Sequence, residues 1–307
     1  MRVLASRRFP GPAWETLADV EVADWPPVAP RPGVEVAALV MAHVGDRELD
    51  LLPDVRLVAN YGVGYDGIDV DACARRGVAV SNTPDALGRA TADLALALIL
   101  AARRRVVEGD RFVRDGRWGT DWVEGALMGD DVAGATLGVV GVGRIGAAVI
   151  SRARAFDMRV LYTRRSGERL DGLEFRELDD LFSEADIVSL HLPLTDDTHG
   201  LVDARRLTLL RDGALLVNTA RGAIVDEVAL VRELESGRIR AALDVFVDEP
   251  RVPSVLLGLP NVIVLPHVGS ATSATREAAT AELVANIRAA LDGREPPNLV
   301  PGSATLT

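Results

Sequence analysis

Three segments in the second half of the chain each run out of an apolar, β-branched stretch into a residue equipped for chemistry. Leu215-Leu216-Val217-Asn218 leads into Thr219-Ala220-Arg221-Gly222, Ala242-Leu243-Asp244-Val245-Phe246 into Asp248-Glu249-Pro250, and Val262-Ile263-Val264-Leu265 into Pro266-His267-Val268-Gly269-Ser270. Together they offer a guanidinium, a carboxylate and an imidazole. Arg221 presents a fork of donors to a carboxylate or ketone oxygen and keeps its proton near neutrality. A Glu249 bond to His267 would favour the imidazolium, holding a proton ready for a forming alkoxide. This is the equipment for reducing a carbonyl by hydride transfer, or for the reverse oxidation. His267 is the one histidine in such a loop with a carboxylate candidate in a neighbouring loop. His191 also ends an apolar run, but Leu192-Pro193-Leu194 follow it, and a structural or cofactor-side role fits better. His43 and His199 read as surface or packing residues.

A hydride needs a carrier, and Gly141-Val142-Gly143-Arg144-Ile145-Gly146 is suited to hold one. It follows the strand Thr136-Leu137-Gly138-Val139-Val140 directly and opens an amphipathic helix from Arg144 to Phe156. In such a turn Gly141 permits the tight bend, Gly143 lets the backbone approach a pyrophosphate, and Gly146 lets helix and strand pack closely. The helix N-terminus then offers N–H groups to the phosphates. About twenty residues on, NAD sites carry an acidic residue for the ribose 2′-hydroxyl. Here Tyr162-Thr163-Arg164-Arg165-Ser166 stands instead, and two guanidinium groups where a 2′-phosphate would lie favour NADP(H) over the alternative, NAD(H).

The elements that must position these residues follow an α/β pattern, with short strands alternating with helices from end to end. Strands are expected near Val3 to Ala5, Ala38 to Val40, Leu57 to Asn60 and Val78 to Ser81, with helices around Pro12 to Asp19 and Asp69 to Arg76. A long Ala/Leu helix from Thr91 to about Arg114 is suited to bridging two domains. The loop from Gly116 to Gly134 carries Trp118 and Trp122. A second series follows, with strands near Leu137 to Val140, Arg159 to Thr163, Ile187 to Leu190, Ala214 to Asn218, Ala242 to Val245 and Val262 to Leu265. Asp226 is placed to cap a helix start, with Gly237 at its far end. A last helix runs from about Thr272 to Leu291.

Composition narrows the chemistry further. At 307 residues and 48% apolar the chain can bury a large core and divide into two domains. All 34 basic residues are Arg, so Schiff-base, P-loop-lysine and lysine-base chemistry are excluded within the chain. One cysteine, Cys73, rules out a disulfide framework or a cysteine-cluster metal site, and no metal is expected. A net charge of -11 argues against nucleic acid and anionic membranes, leaving small molecules and like subunits as partners. The apolar run from Leu94 to Ala102 is far short of the roughly 20 residues that a membrane helix needs. No signal peptide is visible in Met1-Arg2-Val3-Leu4-Ala5-Ser6-Arg7-Arg8, so a cytoplasmic location is expected.

The chain resembles the D-isomer-specific 2-hydroxyacid dehydrogenases over essentially its whole length. The matching segments are Asn60-Tyr61-Gly62-Val63-Gly64-Tyr65-Asp66, Thr91-Ala92-Asp93, the glycine turn, His191-Leu192-Pro193-Leu194-Thr195, Asn218-Thr219-Ala220-Arg221-Gly222, Leu243-Asp244-Val245-Phe246 through Glu249-Pro250, and Pro266-His267-Val268-Gly269-Ser270-Ala271-Thr272. The resemblance implies two Rossmann-like, doubly wound domains, the smaller one flavodoxin-like. It places a substrate-binding domain at 1–97, a dinucleotide-binding domain at 98–286 and a C-terminal segment, 287–307, returning to the first. It further implies that Arg221, Glu249 and His267 are the catalytic triad, that the backbone N–H groups of Val63 and Gly64 hold the substrate carboxylate, and that Asp244 contacts the nicotinamide amide. The expected cofactor-contacting set is Thr91, Gly141, Gly143, Arg144, Ile145, Gly146, Thr163, Arg164, Arg165, His191, Pro193, Thr198, Thr219, Ala220, Asp244, His267 and Gly269. A homodimer is expected.

Asp93, Leu192 and Gly67 depart from the usual family residues without touching the triad. The Arg164-Arg165 pair is similar to that of the NADPH-using glyoxylate and hydroxypyruvate reductases, which implies reduction of a small 2-keto acid to the D-2-hydroxy acid. Oxidative action on a D-2-hydroxyacid or 3-phosphoglycerate is the alternative, weakened because the chain stops at Thr307 without a regulatory domain. A formate dehydrogenase is disfavoured, since Glu249 stands where Gln would pair the histidine. A dinucleotide-sensing, corepressor-like scaffold is a third reading that the triad alone does not exclude.

Overall fold

Two parallel β-sheets organise the chain, each in its own compact unit: Met1–Gly88 with Ser270–Thr307, and Arg89–Gly269. The computed structural model describes residues 2–119 and 125–306. The expectation for Trp122 falls outside the described residues.

The first sheet holds β1 (Val3–Ala5), β2 (Val20–Val22), β3 (Val36–Leu39), β4 (Leu57–Asn60) and β5 (Ala79–Ser81) in the order β2-β1-β3-β4-β5, all parallel. β1, β3, β4 and β5 are buried along their whole length, as apolar runs covered on both faces must be. One face is covered by the helix Ser273–Leu291, whose Ala279, Leu283, Val284 and Ile287 pack with Val3, Val36 and Leu57. α1 (Asp46–Asp50) and α2 (Val70–Arg75) belong to the other face, where Leu49, Ala72 and Cys73 pack with Leu4, Leu39 and Val58. Burial pushes the Cys73 thiol up to about 11, leaving it an inert core residue. The tail returns to this unit: Leu299 pairs antiparallel with Ser81, and Val300 N–H donates to Val80 O at 2.9 Å.

The helix expected over Pro12 to Asp19 is a single 3-10 turn, Trp14–Thr16, because Leu17 is already extended and the chain is entering β2. β2 is a three-residue edge strand, too short to show an alternation in the sequence.

The second sheet holds β6 (Thr136–Val140), β7 (Arg159–Thr163), β8 (Glu174–Phe175), β9 (Ile187–Leu190), β10 (Leu215–Asn218), β11 (Arg240–Leu243) and β12 (Val262–Val264). Their order is β12-β11-β10-β9-β6-β7-β8, again all parallel. α3 (Gly88–Arg103), α4 (Val106–Arg114), α5 (Arg144–Ala155), α6 (Leu178–Glu184), α7 (Ala204–Leu209) and α8 (Glu227–Glu235) complete this series. Asp226 caps α8, accepting Ala229 N–H at 3.0 Å, and Gly237 follows with φ +74°. The order reverses between β6 and β9, so the crevice outside their carboxyl ends is a topological switch point, where open α/β sheets bind ligands.

The single helix expected over Thr91 to Arg114 is broken. α3 buries Ala92, Ala95, Leu96, Leu98 and Ile99 in the core of the second sheet, whereas α4 buries only Phe112. The apolar stripe stops at Arg103-Arg104-Arg105, and Arg105 takes the left-handed conformation at φ +52° with its Nε bonded to Glu108 at 2.5 Å. The compact units divide at 88/89 and 269/270, because α3 packs on the second sheet and the helix Ser273–Leu291 on the first. Among the described residues no helix is long and apolar enough to cross a membrane.

Candidate active site

Beyond β10 the chain is held by Asn218, a buried residue at the last position of an apolar strand. Its Oδ1 accepts Ala220 N–H at 3.0 Å and its Nδ2 donates to Arg221 O at 2.8 Å. Arg221 is extended, and its Nη1 donates to Ala220 O at 2.8 Å. Sequence reasoning assigned Asn218 no role, although an amide ending a buried apolar strand is the signal that would have found it. Gly222 then lies flat against the loop after β11. A Cβ there would stand 2.0 Å from the Phe246 carbonyl carbon, so only glycine lets the two loops meet.

In that second loop Glu249 folds back, and its Oε1 accepts Phe246 N–H at 3.0 Å. Oε2 lies 2.7 Å from His267 Nδ1. Burial pushes the Glu249 carboxyl up, but the histidine bond, the Phe246 N–H and the charges of His267 and Arg221 together hold it below the ordinary glutamate value. It is a carboxylate at neutral pH. His267 takes φ +53°, a conformation rare outside glycine, which concentrates at functional sites. The bond at Nδ1 leaves Nε2 as the nitrogen for substrate.

Asp244, expected inside a strand, lies one residue beyond β11 and is 1% exposed. Its two carboxylate oxygens accept Val268 and Gly269 N–H, each at 2.8 Å. A Cβ on Gly269 would crowd Asp244 Oδ2 at 3.2 Å and Thr91 Cγ2 at 3.4 Å, so these three residues form one corner.

At the switch point Gly141 has φ +94°, and a Cβ would meet His191 O at 2.6 Å. At Gly146 a Cβ would come within 2.1 Å of Gly141 O. At Gly143, by contrast, it would meet nothing within 4 Å among the described residues, and among them α5 begins there without a side-chain cap. That open, uncapped helix start fits a dinucleotide pyrophosphate. Among the described residues Thr219 Oγ1 is buried with no hydrogen-bond partner, an orphan suited to a ligand donor or acceptor. Arg144 is exposed and Ile145 half-buried at the first turn of α5.

Desolvation lowers the His191 imidazole to about 4, keeping it neutral, with Nε2 2.9 Å from Ser189 Oγ. The Thr198 hydroxyl serves its own turn, donating to Pro193 O at 2.7 Å and accepting Thr195 N–H at 2.8 Å. Thr163 ends β7, its carbonyl accepting Gly141 N–H at 3.0 Å. Arg164 pairs with Glu168 at 2.9 Å and Arg165 with Asp197 at 3.0 Å, both near the surface. The unit Arg89–Gly269 thus brings together every expected dinucleotide and triad residue; Val63 and Gly64 belong to the other unit. No cluster of metal-ligating side chains occurs among the described residues.

Residues 96–269 match the D-isomer specific 2-hydroxyacid dehydrogenase, NAD binding domain. The glyoxylate reductase of Thermococcus kodakarensis is 44% identical, covering 97% of this chain and 96% of that protein. The glyoxylate reductase of Pyrococcus furiosus is 49% identical over 87% of this chain and 82% of its own length. Among solved structures, the NADPH-dependent glyoxylate/hydroxypyruvate reductase of Sinorhizobium meliloti, in complex with NADP and malonate, superposes with a TM-score of 0.90. It is 33% identical and covers 100% of this chain and 98% of that one. A protein of Thermus thermophilus reaches the same TM-score at 44% identity, covering 98% of this chain and 100% of that one.

Proposed function

The chain belongs to the D-isomer-specific 2-hydroxyacid dehydrogenase family, and on that premise we propose that it reduces small 2-keto acids, glyoxylate and hydroxypyruvate, to D-2-hydroxy acids with NADPH as preferred reductant. The observation that carries this reading is the 2.7 Å bond between Glu249 and His267 Nδ1, beside the loop that bears Arg221. Bound nicotinamide dinucleotide supplies the hydride. Arg221 polarises the keto oxygen, and the backbone N–H groups of Val63 and Gly64 hold the substrate carboxylate. His267 Nε2 gives its proton to the forming alkoxide, and Glu249 stabilises the imidazolium beforehand and fixes the ring. Asp244 sets the backbone from which His267 projects.

The glycine turn, Thr219 and the corner of Thr91, Asp244 and Gly269 hold the dinucleotide. The Arg164-Arg165 pair at the end of β7 supports the NADPH preference through charge-assisted bonds to a 2′-phosphate. The unit built on β1–β5 is the substrate-binding domain, and Arg89–Gly269 the dinucleotide-binding domain. The protein works as a homodimer, a reading supported by exposed Val106, Val113, Trp118 and Met128 in the segment between α3 and β6. A monomer by light scattering at micromolar concentration would count against it.

The deciding measurement is steady-state kinetics with NADPH and NADH against glyoxylate, hydroxypyruvate, pyruvate and bulkier 2-keto acids. The highest kcat/KM is expected for glyoxylate or hydroxypyruvate with NADPH. Protein that binds NADPH but oxidises none of it with any 2-keto acid is a dinucleotide-sensing scaffold, not this reductase.

A further inference from the structure

The loop after β4 is fastened by two side-chain amides. Asn60 and Asn82 are 5% and 9% exposed, and each spends its side-chain NH2 on loop carbonyls. Asn60 Nδ2 donates to Gly62 O at 3.2 Å and to Gly64 O at 2.9 Å, and Asn82 Nδ2 donates to Val63 O at 2.9 Å. Gly62 O takes a second bond from Thr83 N–H at 3.0 Å, while Gly62 N–H donates to Thr83 Oγ1 at 3.0 Å. Asn82 is fixed in turn. Its carbonyl accepts Asn286 Nδ2 at 3.0 Å from the helix Ser273–Leu291, and its N–H donates to Asn298 O at 3.1 Å in the returning tail.

Across a planar trans peptide the C=O and N–H point in opposite directions. Gly62 O is held by Asn60 and Thr83 and Val63 O by Asn82, so the N–H groups of Val63 and Gly64 each point away from the donors that hold their own peptide's carbonyl. Among the described residues neither N–H makes a hydrogen bond. Adjacent N–H groups aimed the same way form an anion-binding concavity. Were the peptides free to flip, a carbonyl would face the substrate carboxylate half-way round and repel it.

We infer that Asn60 and Asn82 are positioning residues for the 2-keto acid carboxylate, locking the two peptide planes so that Val63 and Gly64 present donors and never acceptors. This rests on the proposed role of those two N–H groups.

The test uses Asn60→Asp and Asn82→Asp, which keep side-chain shape but set an oxygen against a carbonyl, together with Asn82→Ala, which removes the donor without adding charge. Fluorescence titration with NADPH first identifies the variants that fold and bind dinucleotide. KM for glyoxylate should rise about tenfold or more in each such variant, with kcat much less affected. Oxamate, an unreactive analogue with the same carboxylate, should lose affinity by the same factor. In parallel, selective 15N labelling of Val and Gly follows the Val63 and Gly64 amides of the NADPH complex as oxamate is added. They should shift in the wild type and cease to shift in the variants. Amides that stay still in the wild type overturn the carboxylate assignment and this inference together. Amides that shift equally in wild type and variants, with KM unchanged, overturn the positioning role alone. So does a fall in kcat at constant KM, the mark of a merely structural role.

Discussion

The carbonyl of Asp244 accepts the backbone N–H of His267 at 2.9 Å, so the residue just past β11 fixes where the imidazole leaves the neighbouring strand. The same residue grips the next two N–H groups through its carboxylate. Asp244→Asn keeps the main-chain bond but turns one acceptor into an NH2 that faces a donor. A buried bond replaced by a donor clash should cost about 1–3 kcal/mol and lower kcat through a misplaced His267. Thermal melting and kinetics on one preparation check this, and a variant like wild type in both would mean that these bonds position nothing.

His267→Asn should lower kcat by about a hundred- to ten-thousandfold and dinucleotide affinity much less, because it removes the proton donor. A variant that keeps wild-type turnover across pH would remove the acid/base assignment. Glu249→Gln should fall in the same direction, since a neutral amide cannot stabilise the imidazolium. The sign of its effect on acid stability follows from the depressed Glu249 carboxyl. The ionised form stabilises the fold fully above the ordinary glutamate value, and that contribution is lost as pH falls through the lower folded one. Glu249→Gln should lack this acid-side loss in a melting series.

The turn glycines separate fold from ligand. Gly146→Ala drives a methyl to 2.1 Å from Gly141 O and should unfold the start of α5, lowering the melting temperature as well as dinucleotide binding. Gly143→Ala adds a methyl that meets nothing within 4 Å among the described residues. Its stability should stay within about 0.5 kcal/mol of wild type, while affinity for NADPH and NADH falls together. Equal melting losses in the two variants would show that Gly143 is a folding residue instead.

His191 makes stability fall on the acid side. Its folded value, about 4, lies below the ordinary 6.5, so above 6.5 both folded and unfolded forms are neutral. Between 6.5 and 4 the unfolded chain takes up a proton that the folded chain refuses. The full window is worth up to about 3 kcal/mol. His191→Gln, which can still bond Ser189, should flatten the loss of melting temperature between these two pH values.

Much of this site can be read from the sequence because its strands are largely apolar runs of three to five residues that end abruptly in polar loops, as at Asn218 and Asp244. The glycine turn and the caps at Asp69 and Asp226 are equally local: Asp69 accepts Ala72 N–H just as Asp226 accepts that of Ala229. What escapes depends on distant packing. β2 and β8 are edge strands of three and two residues with no periodicity to detect. The break at Arg105 follows from which helix face the second core covers. The Thr198 hydroxyl depends only on its own turn, bonded to Pro193 O and Thr195 N–H.

Residue type alone is also silent about the carboxylates beside the two arginines. Glu168 and Asp197 hold Arg164 and Arg165 in single ion pairs at 2.9 and 3.0 Å, with Arg165 strongly exposed. Exposed pairs of this kind contribute about 0–1 kcal/mol, so a doubly charged 2′-phosphate can draw both guanidinium groups to itself. Replacing both, Arg164→Ser with Arg165→Ser, removes the phosphate partners without touching the turn. NADPH should then bind about ten- to a hundredfold more weakly, with NADH affinity nearly constant. The drop should shrink as salt is raised, because the lost contacts are ionic. Parallel titrations with the two dinucleotides measure the ratio directly, and a double variant that weakens both equally would assign the arginines to the fold and not to cofactor choice.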